Sequence, residues 1–447
     1  MEAAAEAAVV PDDAITPNET ETESFPAFKA ELAAELAAEP WRDFQELTGD
    51  VRLLRFLRSR EGDVALAAEA YRAHLEWRKL HGVDAIRQKI VDEGLGLDWS
   101  SYPRGAEVGK FFGMDIDAGY SRLGHLVQLD NMGLVEPEGI MGTHEGALGM
   151  DAFTVAFIYM LEVRNKLHDD LSREAGRMIR TYQVRDLEQT GVHLVSRDNM
   201  AMMKQVVALS QDNYPESMAT ICFVNAGSVF GVAMAAMRSM LAERTLARFL
   251  VINDDPEAEL LKDLEVSSIQ SLCLLANRAR EKVAGQPSVS NGGGELLVPA
   301  RWRADVTLTL AAGQTARWSW SVEKHDVGFI VDVLTDDATA GWVGVPVGAT
   351  DAGAARVAGE LTPVGATVVG GYVAKAACVV RMRWDNQHAW TRSKTVTYSV
   401  VVEAEPEPAP TGEGVDGGAA GAGGGAAAVE PEPAPAFADS GARGTYG

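Results

Sequence analysis

Apolar residues in this chain change their spacing once, near residue 290, and that change dictates two different kinds of fold. Up to about residue 285, short apolar runs alternate with long helical stretches. KFFGMDI, HLVQLD, RTYQVRDL, ATICFVN and ARFLVIN are strand candidates, and FTVAFIYMLEVRNKLHDDL and NMAMMKQVVALSQDNY are helical. Strands separated by helices join in parallel, so residues 101–285 predict an α/β domain on a mainly parallel sheet. The Pro-, Ser- and Gly-containing stretch QPSVSNGGGE, residues 286–295, reads as a linker. Beyond it, apolar residues recur at every second position: Val306, Leu308 and Leu310; Trp318, Trp320 and Val322; Val327, Phe329, Val331 and Val333; Val380, Met382 and Trp384; Val396, Tyr398, Val400 and Val402. That alternation predicts an antiparallel β-sandwich over residues 296–403.

Residues 27–100 read as a helical lobe. Gly49-Asp50 supplies a stop and an N-cap for VRLLRFLRSR, and a second helix follows Asp63. Ala67, Ala70, Tyr71, His74, Leu75 and Trp77 fall on one face of that helix, which Gly82 ends.

The net charge of −24 is uneven. Residues 1–50 hold 13 acids against 2 bases and residues 403–447 hold 8 against 1, which leaves only −6 on residues 51–402. Residues 1–26 and the Gly/Ala/Pro/Glu-rich residues 404–447 lack the apolar content to offset ordering entropy and are expected to be disordered. An acidic chain repels polyphosphate, so nucleic acid is excluded as a partner. Three scattered cysteines, Cys222, Cys273 and Cys378, suit a reduced cytoplasmic setting. The first thirty residues carry acids where a signal peptide needs bases, and neither a Gly at position 2 nor a CaaX ending suggests a lipid anchor.

Catalytic patterns are missing. There is no GxSxG, Walker loop, HExxH or strand-linked GxGxxG, and the Asp115-Ile116-Asp117-Ala118-Gly119 run has Tyr120 and Leu126 where a calcium loop needs Gly and Glu. The expectation is a non-enzyme with no metal and no cofactor. Ser217–Met237 holds no charged residue over 21 positions. Asn225-Ala226-Gly227-Ser228 interrupts it, so MATICFV reads as a buried strand and VFGVAMAAM as a helix rather than one membrane span.

Several of these segments, in order, resemble one family. LLRFLRSREGDVALAAEAYRAHLEWRKLHGV, FGMDIDAGYSRLGHLV, VRDLEQTG, SQDNYPESMATICFVNAGSVF and MLAERTLARFLVI are similar to the CRAL-TRIO lipid-binding and transfer proteins. DVGFIVDV and VVRMRWDNQHAWTRSKTVTYSVVVE resemble GOLD-domain strands, which points to the branch containing the patellins and tocopherol-associated proteins. The resemblance implies a cavity that encloses one lipid, a mobile gate helix, and no catalysis. Its gate face would be Val229, Phe230, Val232, Met234, Met237 and Leu241. Its headgroup residues, by position, would be Arg60, Glu216, Thr245 and Arg248. A guanidinium pair suits a phosphate, and Glu and Thr suit inositol hydroxyls.

The ligand implied is therefore phosphatidylinositol or another phospholipid, carried or presented by a cytoplasmic, peripherally membrane-associated protein in trafficking. Glu61 stands where the family often has a base, Gly227-Ser228 replaces a Pro-aromatic pair, and LPxxYGG is missing near residues 265–295. These departures keep open a carrier of a neutral hydrophobe such as a sterol, tocopherol or retinoid. A scaffold that recruits trafficking proteins through the GOLD domain is the other alternative. Lys375, Arg381, Arg383, Arg392 and Lys394 either meet an anionic leaflet or simply decorate a solvated sandwich face, the latter being the favoured reading.

Overall fold

The computed structural model describes residues 13–403 apart from 142–146, 189, 191–195, 228–229, 239–240, 242, 285–290, 299, 301–302, 325, 338–340, 346–348, 351–360, 363–364 and 387. The expectation of disorder for 1–12 and 404–447 lies outside the described residues.

The helical lobe packs α1 (Ser24–Glu31), α2 (Asp50–Ser59), α3 (Val64–His81) and α4 (Val83–Glu93). Helix α3 starts where Asp63 accepts from the Leu66 amide and stops at Gly82, whose φ of 63° only glycine adopts cheaply. At the start of α2 the cap position is Gly49 rather than Asp50, and Asp50 instead pairs with Lys29 at 2.7 Å. Phe28, Leu54, Phe56 and Tyr71 form the lobe's apolar core.

Residues 13–26 depart from the disorder expected of them. The carboxylate of Glu21 takes Arg58 at 2.8 Å, and Asp13 pairs with Arg180. These acids are not a solvated tail, because their partners are buried arginines far along the chain that need them. Arg52 and Arg55 are likewise buried, sharing Asp169 of α5 (Met150–Ala175) at 2.9 and 3.0 Å and fastening the lobe to the α/β domain.

That domain is built on β1 (Met114–Asp115), β2 (Leu126–Asn131), β3 (Thr181–Asp186), β4 (Met218–Val224) and β5 (Phe249–Ile252), which neighbour one another in chain order. Strand β1 is antiparallel to β2 and the rest are parallel. Right-handed crossovers that always advance in one direction put every connecting helix on one face. Helix α5 and helix α6 (Arg197–Asn213) cover that face, with α7 (Phe230–Arg238) and the short α8 (Glu243–Leu246) linking β4 to β5. The opposite face, with Val127, Leu129, Val184 and Cys222, packs on α9 (Val266–Ala284). The charge-free stretch thus splits into strand and helix, and among the described residues no helix is long and apolar enough to cross a membrane.

Antiparallel strands follow. One sheet orders β10 (Val343–Val345), β9 (Val327–Leu334), β12 (Cys378–Asp385) and β7 (Arg303–Leu310). The other includes β11 (Val368–Val373), β8 (Thr315–Val322), β13 (Lys394–Glu403) and β6 (Asn291–Val298). The alternating residues predicted to point inward do so, around Trp320, Phe329 and Trp384.

Two sequence expectations fail here. Strand β6 begins inside the stretch read as a linker: Gly293 lies so close to the Tyr398 carbonyl that a Cβ there would approach it to 2.4 Å, so this glycine serves backbone contact rather than flexibility. Three of the five sandwich cations do not stand on a solvated face either, whereas Lys375 and Arg392 are exposed as expected. Arg381 is 5% exposed and bridges Asp255 at 2.8 Å and Asp332 at 3.0 Å. Arg383 pairs with Asp305 at 2.7 Å, and the buried Lys394 donates to the Asp326 carbonyl at 2.7 Å. Their carboxylate partners sit on distant segments, which alternation along a single strand does not reveal.

The sandwich is docked on the back of the α/β domain. The Gln270 amide of α9 donates to the carbonyls of Leu310 and Cys378, each at 2.9 Å, and Leu334 and Val379 join the apolar cluster of α9.

Candidate functional site

A cavity of about 190 Å³ opens between the helix-covered face of the sheet and helices α5 and α6. One water needs only ~10–15 Å³ on that measure, so the space suits an organic ligand. Phe112, Met132, Phe157, Met160, Met203 and Val206 give it apolar walls. Two polar clusters interrupt those walls.

The first is at the segment joining α6 to β4. Glu216 has φ 55°, a left-handed conformation costly for any residue that carries a Cβ, and its carbonyl accepts from Arg55 Nη1 at 2.8 Å. The lobe's buried arginine thereby helps fix the position of Glu216. The Glu216 carboxylate contacts Arg248, Arg244 at 3.2 Å and Arg180 at 3.9 Å. Burial pushes its pKa up, but the neighbouring guanidinium groups of Arg248, Arg244 and Arg180 outweigh burial and hold it below the usual carboxylate range.

Arg60, at the C-cap of α2, and the half-buried Thr245 also line the cavity. The four residues singled out as headgroup ligands, Arg60, Glu216, Thr245 and Arg248, therefore border one space. Glu61 is exposed and does not. Sequence reasoning missed Arg244 and Arg180. Arg244 had a signal, since it precedes Arg248 by four residues in ERTLARF, the spacing that stacks side chains on one helical face.

The second cluster lies on the sheet. Parallel register sets Gln128 beside Gln183 and Asp130 beside Arg185. Asp130 accepts from Gln128 at 2.9 Å and Gln183 at 2.5 Å, with Arg185 at 3.2 Å, while Arg164 of α5 donates to Gln128 at 2.6 Å. Burial raises the Asp130 pKa, against the opposing pull of Arg185. This cluster was also missed, although its signal is visible: HLVQLD and RTYQVRDL place polar residues at alternate positions of strands that are otherwise apolar.

The gate residues are brought together only in part. Phe230 packs on Phe223 at 5.0 Å between ring centroids, Met234 is half-buried on the same core, and Leu241 lines the cavity. Val232 is 62% exposed and does not share that face: it stands about 200° around the helix from Phe230, and Ala233 takes the buried position. Val229 and the Met237 side chain lie outside the described residues.

Residues 118–272 match the family model of the CRAL/TRIO domain. The SEC14 cytosolic factor of Candida glabrata is 29% identical over 258 residues, 57% of this chain and 79% of that protein. Patellin-6 of Arabidopsis thaliana is 29% identical over 216 residues, 47% of each chain. The phosphatidylinositol/phosphatidylcholine transfer protein SFH7 of the same plant is 23% identical over 232 residues, 51% of this chain and 40% of that one. The match thus spans less than half the length of the two plant relatives.

Proposed function

We propose that this chain, which carries a CRAL-TRIO domain, binds one amphiphilic lipid in its cavity and transfers or presents it at a membrane surface. The observation that carries this reading is one cavity that has both apolar walls and a guanidinium-rich rim, where Arg244 and Arg248 contact Glu216 while Arg60 and Thr245 line the same space. Exposing acyl chains to water costs roughly 25 cal/mol per Å², so a carrier has to cover them and leave the polar end addressable. The names of the relatives, one of them a phosphatidylinositol/phosphatidylcholine transfer protein, support a phospholipid.

In this reading Arg60, Thr245 and Arg248 hold the phosphate and hydroxyls, Arg244 joins them, Glu216 orients the headgroup, and the segment carrying Phe230, Met234 and Leu241 gates entry. The protein works from the cytoplasm as a peripheral membrane protein. The sandwich, which resembles a GOLD domain, engages trafficking partners.

Transfer of labelled phosphatidylinositol between vesicles by the full chain tests the lipid assignment. Wild type is expected to transfer it and Arg248→Glu to lose headgroup selectivity while staying folded; absence of both transfer and co-purifying lipid overturns the reading. A neutral hydrophobe is favoured by one observation, that Glu216 and Arg248 already satisfy each other. Native mass spectrometry of the co-purified ligand separates the two.

A further inference from the structure

We propose that residues 13–16 are an autoinhibitory strap beside the rim of the cavity: Asp13 diverts Arg180 from Glu216, and the strap leaves when the protein meets an anionic membrane surface, which frees Arg248 for a phosphate. The inference rests on the reading of the rim as a headgroup site and adds how that site is opened.

Arg180 stands between two carboxylates. It pairs with Asp13, while its Nη2 stays 3.9 Å from Glu216 and its Nε is buried with no hydrogen-bond partner. Glu216 is meanwhile taken up by Arg248 and, at 3.2 Å, by Arg244. With Asp13 in place the rim is therefore shut to an anion by its own salt bridges. Arg180 is 3% exposed, so once Asp13 leaves it has little water to turn to, and a buried guanidinium left unpaired is costly. Glu216 is the neighbouring carboxylate. Drawing it onto Arg180 loosens its hold on Arg248, which lines the cavity and offers its fork to a phosphate.

The strap itself is held mainly through its backbone. The Asp13 carbonyl accepts from the Met178 amide, and the carbonyls of Ala14 and Thr16 accept from Arg58 at 2.7 and 3.2 Å. Ile15 packs only partly on the lobe's apolar core. Release strands no charge at the other end, because Arg58 keeps Glu21 at 2.8 Å. Residues 1–23 hold seven acids and no base. An anionic leaflet that attracts the rim arginines therefore repels this segment.

Binding of labelled phosphatidylinositol and labelled diacylglycerol to the full chain tests this. Asp13→Asn should bind phosphatidylinositol about tenfold tighter, the margin of one charged hydrogen bond, and diacylglycerol as wild type does. Deletion of residues 1–16, a second variant should the first not fold, should reproduce the gain. Glu19→Gln, which removes the same charge from an exposed site, should bind as wild type does. Hydrogen exchange at the Met178 amide reads the strap directly: protection should fall with phosphatidylserine vesicles and persist with phosphatidylcholine vesicles. Phosphatidylinositol binding unchanged in both strap variants overturns the proposal and leaves lipid binding standing. An equal gain for diacylglycerol overturns it too, since the strap would then block entry rather than the phosphate, and so does an equal gain in Glu19→Gln, which would be bulk charge. Protection that survives phosphatidylserine vesicles overturns release at an anionic surface. If neither lipid binds to any variant, the strap falls together with the function it rests on.

Discussion

The sandwich and the parallel sheet use the same two-residue alternation and reach opposite ends. In the sandwich, inward positions hold Trp320, Phe329, Val331, Met382 and Trp384, which fill the space between sheets, while Arg383 pairs off at the margin. In the parallel sheet one face is filled the same way, by Val127, Leu129 and Val184 against α9. The other face presents Gln128, Asp130, Gln183 and Arg185 to open volume. Inward polar residues are tolerated only where the facing layer stays open and the groups can satisfy one another. A polar residue at an inward strand position therefore marks where this molecule keeps a hollow.

Truncations should separate the two regions. Trp384→Ala in the closed core is expected to cost about 3–5 kcal/mol in urea unfolding. Ile221→Ala, on the cavity wall, should cost about 2 kcal/mol, because a side chain facing empty space forfeits fewer contacts. Equal costs at the two sites would erase the distinction.

A smaller effect comes from pH. Burial, with Arg177 and Arg180 beside it, lowers the His125 pKa to about 4, and burial holds His74 and His168 well below 6.5. An unfolded histidine takes its proton near 6.5 and the folded one resists it. The stability contributed is therefore complete above about 6.5 and lost as pH falls toward 4. Going from pH 7 to about 5.5 should cost about 1 kcal/mol per such histidine. His125→Gln, compared with wild type by unfolding at both pH values, should remove its share, and the loss should fall on the α/β domain rather than the sandwich.

Much of this contrast is legible in the sequence. Period two gave the sandwich interior, and strands alternating with helices gave the parallel sheet. The rim residues came from resemblance to a family, not from spacing. What escaped shares one physical cause, pairing between residues distant in sequence. Asp13 and Glu21 look like a solvated tail until Arg180 and Arg58 are brought to them. Arg381 looks like a surface cation until Asp255 arrives from another domain. Gln183 and Arg185 look like tolerated polar residues until β2 lies alongside.

Strands β4 and β5 are tied just beyond their C-terminal ends by one contact, where the Asn253 side chain accepts from the Ala226 amide at 2.9 Å. Whatever runs between them leaves the sheet and returns to it at a fixed point. Closing a longer loop is inexpensive, about 0.6 kcal/mol per doubling of length. Residues 227–248 thus form an exchangeable cassette: a relative's segment of different length or polarity could be grafted between Ala226 and Phe249, the first residue of β5, without moving the strands, which makes this the natural place to re-engineer what the cavity admits.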